Sequence, residues 1–215
     1  MSGQAVIELI AAHIAPKKRA RLLIGVLASN NGSNLQALID FAKTPGSYFS
    51  ISSVISNNPT SYALVRAKEA SIRGHLIDHK DYDDRRAFDD QLAACLNEDG
   101  AELIVCAGFL RVLKRKFLRQ FHQRVINLHP SLLPKHRGLH AIEKALQAGD
   151  AQTGCTVHLV DSGLDTGPII AQSTCPISAT DSLEDVTNRI QALEHVLLSK
   201  VVNQIAKVVV TRDCV

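Results

Sequence analysis

The sequence predicts an α/β protein of one domain, in which helices cover both faces of a mostly parallel sheet. Short apolar runs suited to buried strands alternate with stretches of helical spacing up to residue 148, which is the order of repeated βαβ units. The 215 residues and the hydrophobic content of 46% suit a single well-buried core. After Gly154 two further strand patterns follow, and we expect them to extend the same sheet as antiparallel strands.

Each element is predicted from its apolar pattern and its ends. Near-continuous apolar runs predict buried parallel strands at residues 22–27, 50–55, 75–77, 103–107 and 125–128. Apolar residues at helical spacing predict helices at residues 34–43, 61–70, 84–97, 112–122 and 139–148. Two final strands are predicted at residues 156–160 and 168–177. Ser182 and Asp185 have the spacing of a capping box, so a long last helix should begin there and run to about Lys207.

The amino-terminal segment, residues 1–20, is predicted to be an amphipathic extension of a domain that spans residues 21–215. Its apolar part is short and its basic residues follow it, which is the wrong order for a secretory signal. No stretch approaches the roughly 18 apolar residues of a membrane span. The formal charge of +3 gives no reason to expect a nucleic-acid or membrane surface. We therefore expect small-molecule ligands, with neither nucleic acid nor membrane as a partner.

Cysteine and histidine spacing indicates neither a disulfide framework nor a metal cluster. The five cysteines are odd in number, scattered, and free of Cys-x-x-Cys pairs. This distribution fits a reducing cytoplasm. His136 and His140 are four residues apart, as in some metal sites, but Gly138 between them weakens a helix. We expect no bound metal.

The run from Val125 to Pro134 holds an amide and an imidazole two residues apart, in Asn127 and His129. Side chains alternate along a strand, so both should point to one face, roughly 7 Å apart, and flank one small reacting group. Pro130 favours an extended conformation at His129 and ends the strand. The pair is therefore expected at the carboxyl end of a strand, where open α/β sheets bind ligands. The alternative is a satisfied polar pair that only terminates the strand.

Asp165 lies in a glycine-flanked loop between the two final strands, where a carboxylate is presented rather than buried. An aspartate beside a histidine orients the imidazole and favours its charged form. No Gly-x-Ser-x-Gly motif is present in the sequence, so a serine ester intermediate is not indicated. Direct attack by the substrate is the more natural interpretation.

The turn after the first strand, residues 28–36, is rich in small and amide residues. Gly32 permits close backbone approach, Ser33 and Gln36 have capping-box spacing, and the free amides of the first helical turn favour an anion. The turn matches neither the Gly-x-Gly-x-x-Gly nor the Walker pattern, which argues against dinucleotides and nucleoside triphosphates. It is predicted to bind a phosphate; the alternative is an ordinary capped loop.

Six motifs follow one another along the chain. They are Ser33-Asn-Leu-Gln, Ala107-Gly-Phe-Leu-Arg-Val-Leu, Asn127-Leu-His-Pro-Ser-Leu-Leu-Pro, Gly138-Leu-His, Thr156-Val-His and Leu164-Asp-Thr-Gly-Pro. Together they resemble the formyltransferase family that uses 10-formyltetrahydrofolate, and the resemblance runs from about Arg21 to Lys207. It implies a Rossmann-like formyltransferase fold and 10-formyltetrahydrofolate as cosubstrate. It also implies glycinamide ribonucleotide as the formyl acceptor, no metal, flavin or nicotinamide, and a monomer or homodimer.

The resemblance implies a role for each matching position. Asn127, His129 and Asp165 match the catalytic trio of the family. The ribonucleotide phosphate is expected at Asn31, Gly32, Ser33 and Asn34, and its sugar and glycinamide end at Gln191 and Glu194. The folate side is expected at Arg85 and at Phe109, Leu110, Arg111, Val112 and Leu113. Asn30 stands where many relatives have glycine, and a non-glycine residue there resists positive φ.

The main expectation is direct formyl transfer, with the oxyanion held by Asn127 and a protonated His129. Asp165 is expected to raise the pKa of His129 and to position a proton-carrying water. Methionyl-tRNA formyltransferases and formyltetrahydrofolate hydrolases resemble this chain but carry additional domains that 215 residues do not accommodate. Two alternatives remain on the same scaffold. One is formyltetrahydrofolate hydrolysis, which would leave the phosphate turn idle, and the other is a non-catalytic nucleotide-binding module, which would not need all three polar groups.

Overall fold

The computed structural model describes residues 1–213 and contains one seven-stranded sheet with helices packed around it. The strands are β1 (Leu22–Leu27), β2 (Phe49–Ser56), β3 (Arg73–Leu76), β4 (Leu103–Cys106), β5 (Val125–His129), β6 (Gln152–Leu159) and β7 (Ile169–Pro176). The helices are α1 (Gly3–Ala12), α2 (Ser33–Ala42), α3 (Tyr62–Glu69), α4 (Arg85–Glu98), α5 (Arg115–Gln120), α6 (Ala141–Gln147) and α7 (Leu183–Arg212).

The sheet has the strand order β3-β2-β1-β4-β5-β6-β7. The first five strands in sequence are parallel, whereas β6 and β7 run antiparallel to their neighbours. The predicted α/β class, with antiparallel strands added in the second half, is confirmed. The strand order reverses between β1 and β4, which opens a crevice at the carboxyl ends of the neighbouring strands.

Apolar side chains pack the helices onto both faces of the sheet, as predicted. On one face, α1, α2, α3 and α7 share one buried cluster with β1, β2, β4 and β5. On the other face, α4 and α5 bury Phe88, Phe117 and Phe121 against the same strands. The sheet is thus enclosed, and its strand ends are the natural place for a site.

Several predicted elements have different bounds in the structure. The strand predicted at residues 156–160 begins earlier, at Gln152, and the last helix runs to Arg212 rather than to about Lys207. The helix predicted at residues 112–122 is shorter, since α5 begins at Arg115 and residues 107–114 have no regular secondary structure. The helix predicted at residues 139–148 begins at Ala141, because His140 adopts a left-handed conformation with φ of 59°. The capping box predicted for the last helix is confirmed at Ser182 and Asp185.

The amino-terminal segment folds as α1 and contributes to the main core. Val6, Ile7 and Ile10 are buried in the same cluster as α7 and β7. The Arg212 guanidinium at the end of α7 donates hydrogen bonds to the carbonyl oxygens of Ala11 and Ile14. The helix is therefore packed into the domain rather than attached at its surface.

Two further observations bear on the predicted environment. None of the helices within residues 1–213 has the length and apolar character needed to cross a membrane. Cys95, Cys106, Cys155 and Cys175 are buried and free, whereas Cys214 lies outside the described residues.

Candidate active site

Three polar side chains from distant parts of the chain meet at the end of β5. The strand ends at His129, immediately before Pro130, and carries Asn127 two residues earlier. Asp165 reaches them from the loop between β6 and β7, where its φ is 52°. Its Oδ2 atom lies 3.4 Å from Nδ1 of His129, and its Oδ1 atom lies 3.5 Å from Nδ2 of Asn127. The convergence predicted from the sequence is present.

The His129 ring is buried and held at both nitrogens. Nε2 donates to the carbonyl oxygen of His136 at 2.9 Å, and Nδ1 faces the Asp165 carboxylate. Burial lowers the pKa of His129 below its usual value, because a charged ring loses hydration there. The carbonyl of His136 and the charge of Asp165 act in the opposite direction without overcoming burial. Asp165 thus acts to raise the pKa of His129, as predicted, although burial leaves the net change of that pKa downward.

The Asp165 carboxylate is held in its charged form. Burial alone would raise its pKa, but the hydrogen bond with His158, the amide of Gly138 and the charge of His129 together lower the pKa to about 2. The Gly138 amide donates to Oδ2 at 2.9 Å. Asp165 is therefore a carboxylate throughout the neutral range and can orient a donor or accept from a water.

The turn between β1 and α2 has the close backbone approach that its glycine predicted. Gly32 has φ of 71° at the amino-terminal cap of α2, and a Cβ atom there would lie 2.9 Å from Cβ of Ala63. The capping box predicted for Ser33 and Gln36 is wrong, because the cap has no side-chain hydrogen bond and Gln36 donates to Asp40 instead. The first-turn amides are thus left without a side-chain cap.

Asn30 does not carry the backbone strain that its position suggested. Among the described residues, the non-glycine positions with positive φ are elsewhere, at Ser71, Gln123, His136, His140 and Asp165. The carbonyl oxygen of Asn30 accepts hydrogen bonds from the Ser61 hydroxyl and the Ala63 amide. Asparagine therefore fits this turn without a left-handed backbone.

A bridge between helices joins the turn to α7. The Asn34 side chain donates to Oε2 of Glu194 at 3.0 Å, and Glu194 is only 7% exposed. Burial raises the pKa of Glu194, while the hydrogen bond from Asn34 acts in the opposite direction. Glu194 therefore faces the interior of the domain rather than solvent. Gln191, one turn earlier, is exposed.

One cavity of about 530 Å³ connects these groups. Its wall contains the trio, Asn34, Glu194 and the whole predicted folate segment from Phe109 to Leu113. Arg85 lies behind that segment and donates to the Val112 carbonyl oxygen. The predicted site residues outside the cavity wall are Asn31, Gly32, Ser33, Arg85 and Gln191.

The family model for formyl transferases matches residues 22–202, which is most of the chain. The chain belongs to the formyl transferase family. The phosphoribosylglycinamide formyltransferase of Escherichia coli (strain K12) is 40% identical over 183 residues, covering 85% of this chain and 86% of the relative. The crystal structure of glycinamide ribonucleotide transformylase 1 from Symbiobacterium toebii has a TM-score of 0.86 and 38% identity, covering 88% of this chain and 90% of that one.

A longer relative contains the same region. The trifunctional purine biosynthetic protein adenosine-3 of Drosophila melanogaster is 42% identical over 199 residues, which cover 90% of this chain and 15% of the relative. The chain therefore spans a small part of that trifunctional protein and most of the bacterial formyltransferase.

His158 is a polar neighbour of the formyl transferase trio that the sequence analysis did not assign. Its Nδ1 donates to the carbonyl oxygen of Leu159 at 2.9 Å, and its Nε2 lies 3.2 Å from Nδ2 of Asn127 and 3.5 Å from Oδ1 of Asp165. It lies opposite Asn127 in the antiparallel register of β5 and β6. The Thr156-Val-His motif carried the signal, but only the strand pairing identifies its partner.

Arg66 is a second residue that the sequence analysis missed. Its guanidinium donates to the carbonyl oxygen of Asn31 at 2.9 Å, to Oδ1 of Asn31 at 3.1 Å and to Gln36 at 3.1 Å. All three acceptors are uncharged, and no ion pair of Arg66 is found within residues 1–213. Arg66 of α3 therefore places a positive charge beside the turn at α2.

Groups with metal-ligand atoms also occur away from the cavity. His75, Cys95 and Asp99 bring such atoms within 4.8 Å of one another. Asp99 is already bonded to His75 at 2.7 Å and to Arg73 at 2.5 Å, so its charge is compensated. His136 pairs with Asp150 at 2.8 Å rather than with His140.

Proposed function

We propose that this protein transfers the formyl group of 10-formyltetrahydrofolate to the amine of glycinamide ribonucleotide, a step of purine biosynthesis. The observation that carries the proposal is the meeting of Asn127, His129 and Asp165 in one cavity that also reaches both predicted binding regions. Membership of the formyl transferase family and the named activity of the Escherichia coli relative support the same assignment.

The acceptor side is proposed at the α2 turn and α7. The uncapped amides after Gly32 offer hydrogen bonds to a phosphate, as helix amino termini do. Arg66 adds the positive charge that a phosphate dianion favours and that the turn itself lacks. Glu194 and Gln191 are proposed to contact the sugar and glycinamide end, which places the reactive amine towards the trio.

The donor side is proposed along residues 109–113. Leu110 and Val112 are exposed apolar side chains at the mouth of the cavity, which suits an aromatic ring system. The segment is not part of a strand or helix, and the backbone groups that Ser29 and Arg85 do not bind are available for the pteridine ring. Arg85 and Arg111 provide positive charge near the anionic tail of the folate.

The chemistry proposed is direct attack on the formyl carbon. The amine nitrogen of the acceptor forms the new C–N bond, and the bond between the formyl carbon and the folate nitrogen breaks. Asn127 donates to the oxygen that becomes negative in the tetrahedral intermediate. Its 3.5 Å contact with Asp165 is at the outer limit of a hydrogen bond, so this donor is readily redirected to the substrate.

Proton movement is assigned to His129 and Asp165. Both ring nitrogens of His129 face acceptors, an arrangement that suits the doubly protonated ring once a negative oxygen develops beside it. Asp165, charged at neutral pH, is proposed to hold a water that carries the proton from the attacking amine to the departing folate nitrogen. Binding both reactants in one cavity adds the advantage of proximity.

The cytoplasm is the proposed compartment. The four described cysteines are free thiols, which fits a reducing environment.

A spectrophotometric assay with 10-formyltetrahydrofolate, with and without glycinamide ribonucleotide, tests the proposed activity. If the protein is a formyltransferase, 10-formyltetrahydrofolate should be consumed only when the ribonucleotide is present. Equal consumption in its absence would indicate hydrolysis, and no consumption under either condition would indicate a binding module.

A further inference from the structure

Asp89 is a buried carboxylate that the proposed chemistry does not use. It lies on α4, is only 2% exposed, and sits between Phe88 and the buried Leu92 of the apolar cluster on that face. It does not line the cavity. Burying a carboxylate among apolar side chains costs free energy unless it has partners, so its contacts should identify its purpose.

The partners of Asp89 lie on the folate segment. Its Oδ2 accepts the backbone amide of Lys114 at 3.3 Å, whereas Oδ1 is buried without a hydrogen-bond partner. On the same face of α4, Arg85 donates to the carbonyl oxygen of Val112. The guanidinium carbon of Arg111 lies 5.2 Å from the Phe88 ring centroid. One face of α4 thus contacts successive positions of this segment.

The segment depends on such contacts for its shape. Residues 107–114 connect β4 to α5 without regular secondary structure. The first half of the segment is hydrogen-bonded to Ser29. The Ser29 amide donates to the Gly108 carbonyl oxygen, and the Ser29 hydroxyl accepts from the Leu110 amide. The second half is bonded from α4. The cavity wall made by residues 109–113 therefore has two anchors, one on each side.

We propose that Asp89 is a positioning residue for the formyl donor, because its carboxylate holds the backbone of residues 111–114 in the conformation that lines the cavity. This inference rests on the proposed function for the identity of the donor. The acceptor side is anchored separately by α2, α3 and α7, so Asp89 acts on one substrate and leaves the other unaffected.

Burial of the Asp89 carboxylate outweighs the neighbouring groups that favour its charged form. Burial raises its pKa, and the Lys114 amide and the charges of Arg85 and Arg111 act in the opposite direction, while Asp90 adds to the increase. The carboxylate consequently takes up a proton at a higher pH than an exposed aspartate does. At neutral pH the wild type should therefore bind the formyl donor more tightly than a variant with an uncharged residue 89. This difference in affinity should disappear as the pH falls through the raised pKa of Asp89.

The test compares Asp89→Asn with Asp90→Asn. Asn removes the charge at nearly constant volume, and Asp90 is the adjacent carboxylate, paired with Lys116 at 2.5 Å on the outer side of α4. At neutral pH we expect Asp89→Asn to raise the KM for 10-formyltetrahydrofolate about ten-fold, with kcat and the ribonucleotide KM nearly unchanged. The Asp90→Asn variant should match the wild type. Equal effects of the two variants, or equal losses for both substrates, would overturn the inference.

Hydrogen–deuterium exchange provides a readout that does not depend on turnover. Asp89→Asn should speed amide exchange in a peptide covering residues 107–114 and leave the turn at α2 unchanged. Unchanged exchange in that peptide would refute the positioning role even if the proposed reaction fails. If Asp89→Asn does not fold, Asp89→Glu takes its place; because the longer side chain displaces the carboxylate from the Lys114 amide, this variant should raise the folate KM and leave the ribonucleotide KM unchanged. A Glu variant with a raised ribonucleotide KM instead would contradict the inference.

Discussion

The Asp165 carboxylate lies 3.4 Å from His129 Nδ1, and the two side chains come from separate strands and loops, 36 residues apart in sequence (165 − 129). This contact opposes the effect of burial on the imidazole and holds the ring against the carbonyl of His136. It is the structural basis for assigning the two residues to one proton-handling unit.

Asn127→Ala should lower kcat by about 10² to 10³-fold while both substrates still bind, because a lost oxyanion donor affects the transition state most. Steady-state kinetics and equilibrium binding of each substrate measure the two effects separately. Asn97→Ala, an exposed position on α4, is the matched control and should behave as wild type. A loss of binding as large as the loss of turnover would contradict the role assigned to Asn127.

Asp165→Asn should shift the pH dependence of the remaining activity. The proposed active form has a protonated His129, so kcat/KM falls as pH rises through the pKa of that ring. Since the Asp165 charge raises this pKa, its removal should move the falling limb to lower pH. Rate profiles over a range of pH test the sign, with Asp83→Asn, an exposed carboxylate outside the cavity wall, as control. If the falling limb of the profile stays at the same pH, Asp165 does not affect the pKa of His129.

Arg66→Met should weaken acceptor binding through the phosphate. We expect the ribonucleotide KM to rise about ten-fold, with the folate KM unchanged, because the charge lies beside the α2 turn only. A phosphate-free analogue of the acceptor should bind the variant and the wild type equally. Lys68→Met, an exposed cation on α3, is the control. If Arg66→Met weakens binding of the phosphate-free analogue by the same factor, Arg66 acts by stabilising the turn rather than by binding phosphate.

Ile10→Ala should destabilise the whole domain. Ile10 is fully buried between α1, α7 and β7, so its truncation should cost about 2–5 kcal/mol of the free energy of unfolding. Glu8→Ala, on the exposed side of the same helix, should change stability by about 0.5 kcal/mol or less. Urea denaturation measures both. If both substitutions lower the free energy of unfolding by a similarly small amount, α1 unfolds independently of the sheet.

Most strands and helices were predictable because their signals are local. The apolar runs of β1 and β4, the proline after His129 and the capping box at Ser182 act within a few residues of themselves. The predicted helix at residues 112–122 was too long, because its apolar spacing continues through a segment that α4 and Ser29 hold in an irregular conformation.

The choice of residues 127, 129 and 165 as the proposed catalytic groups followed from residue type, strand alternation and family motifs, which need no coordinates. Their electrostatics did not follow. The net decrease in the His129 pKa depends on burial, and burial depends on segments far away in the chain. The pairing of His158 with Asn127, the position of Arg66 beside Asn31 and the enclosure of Asp89 likewise required the folded chain. Short-range patterns determine which groups the strand ends present, whereas desolvation and partner choice are sums over long-range neighbours that packing alone brings together.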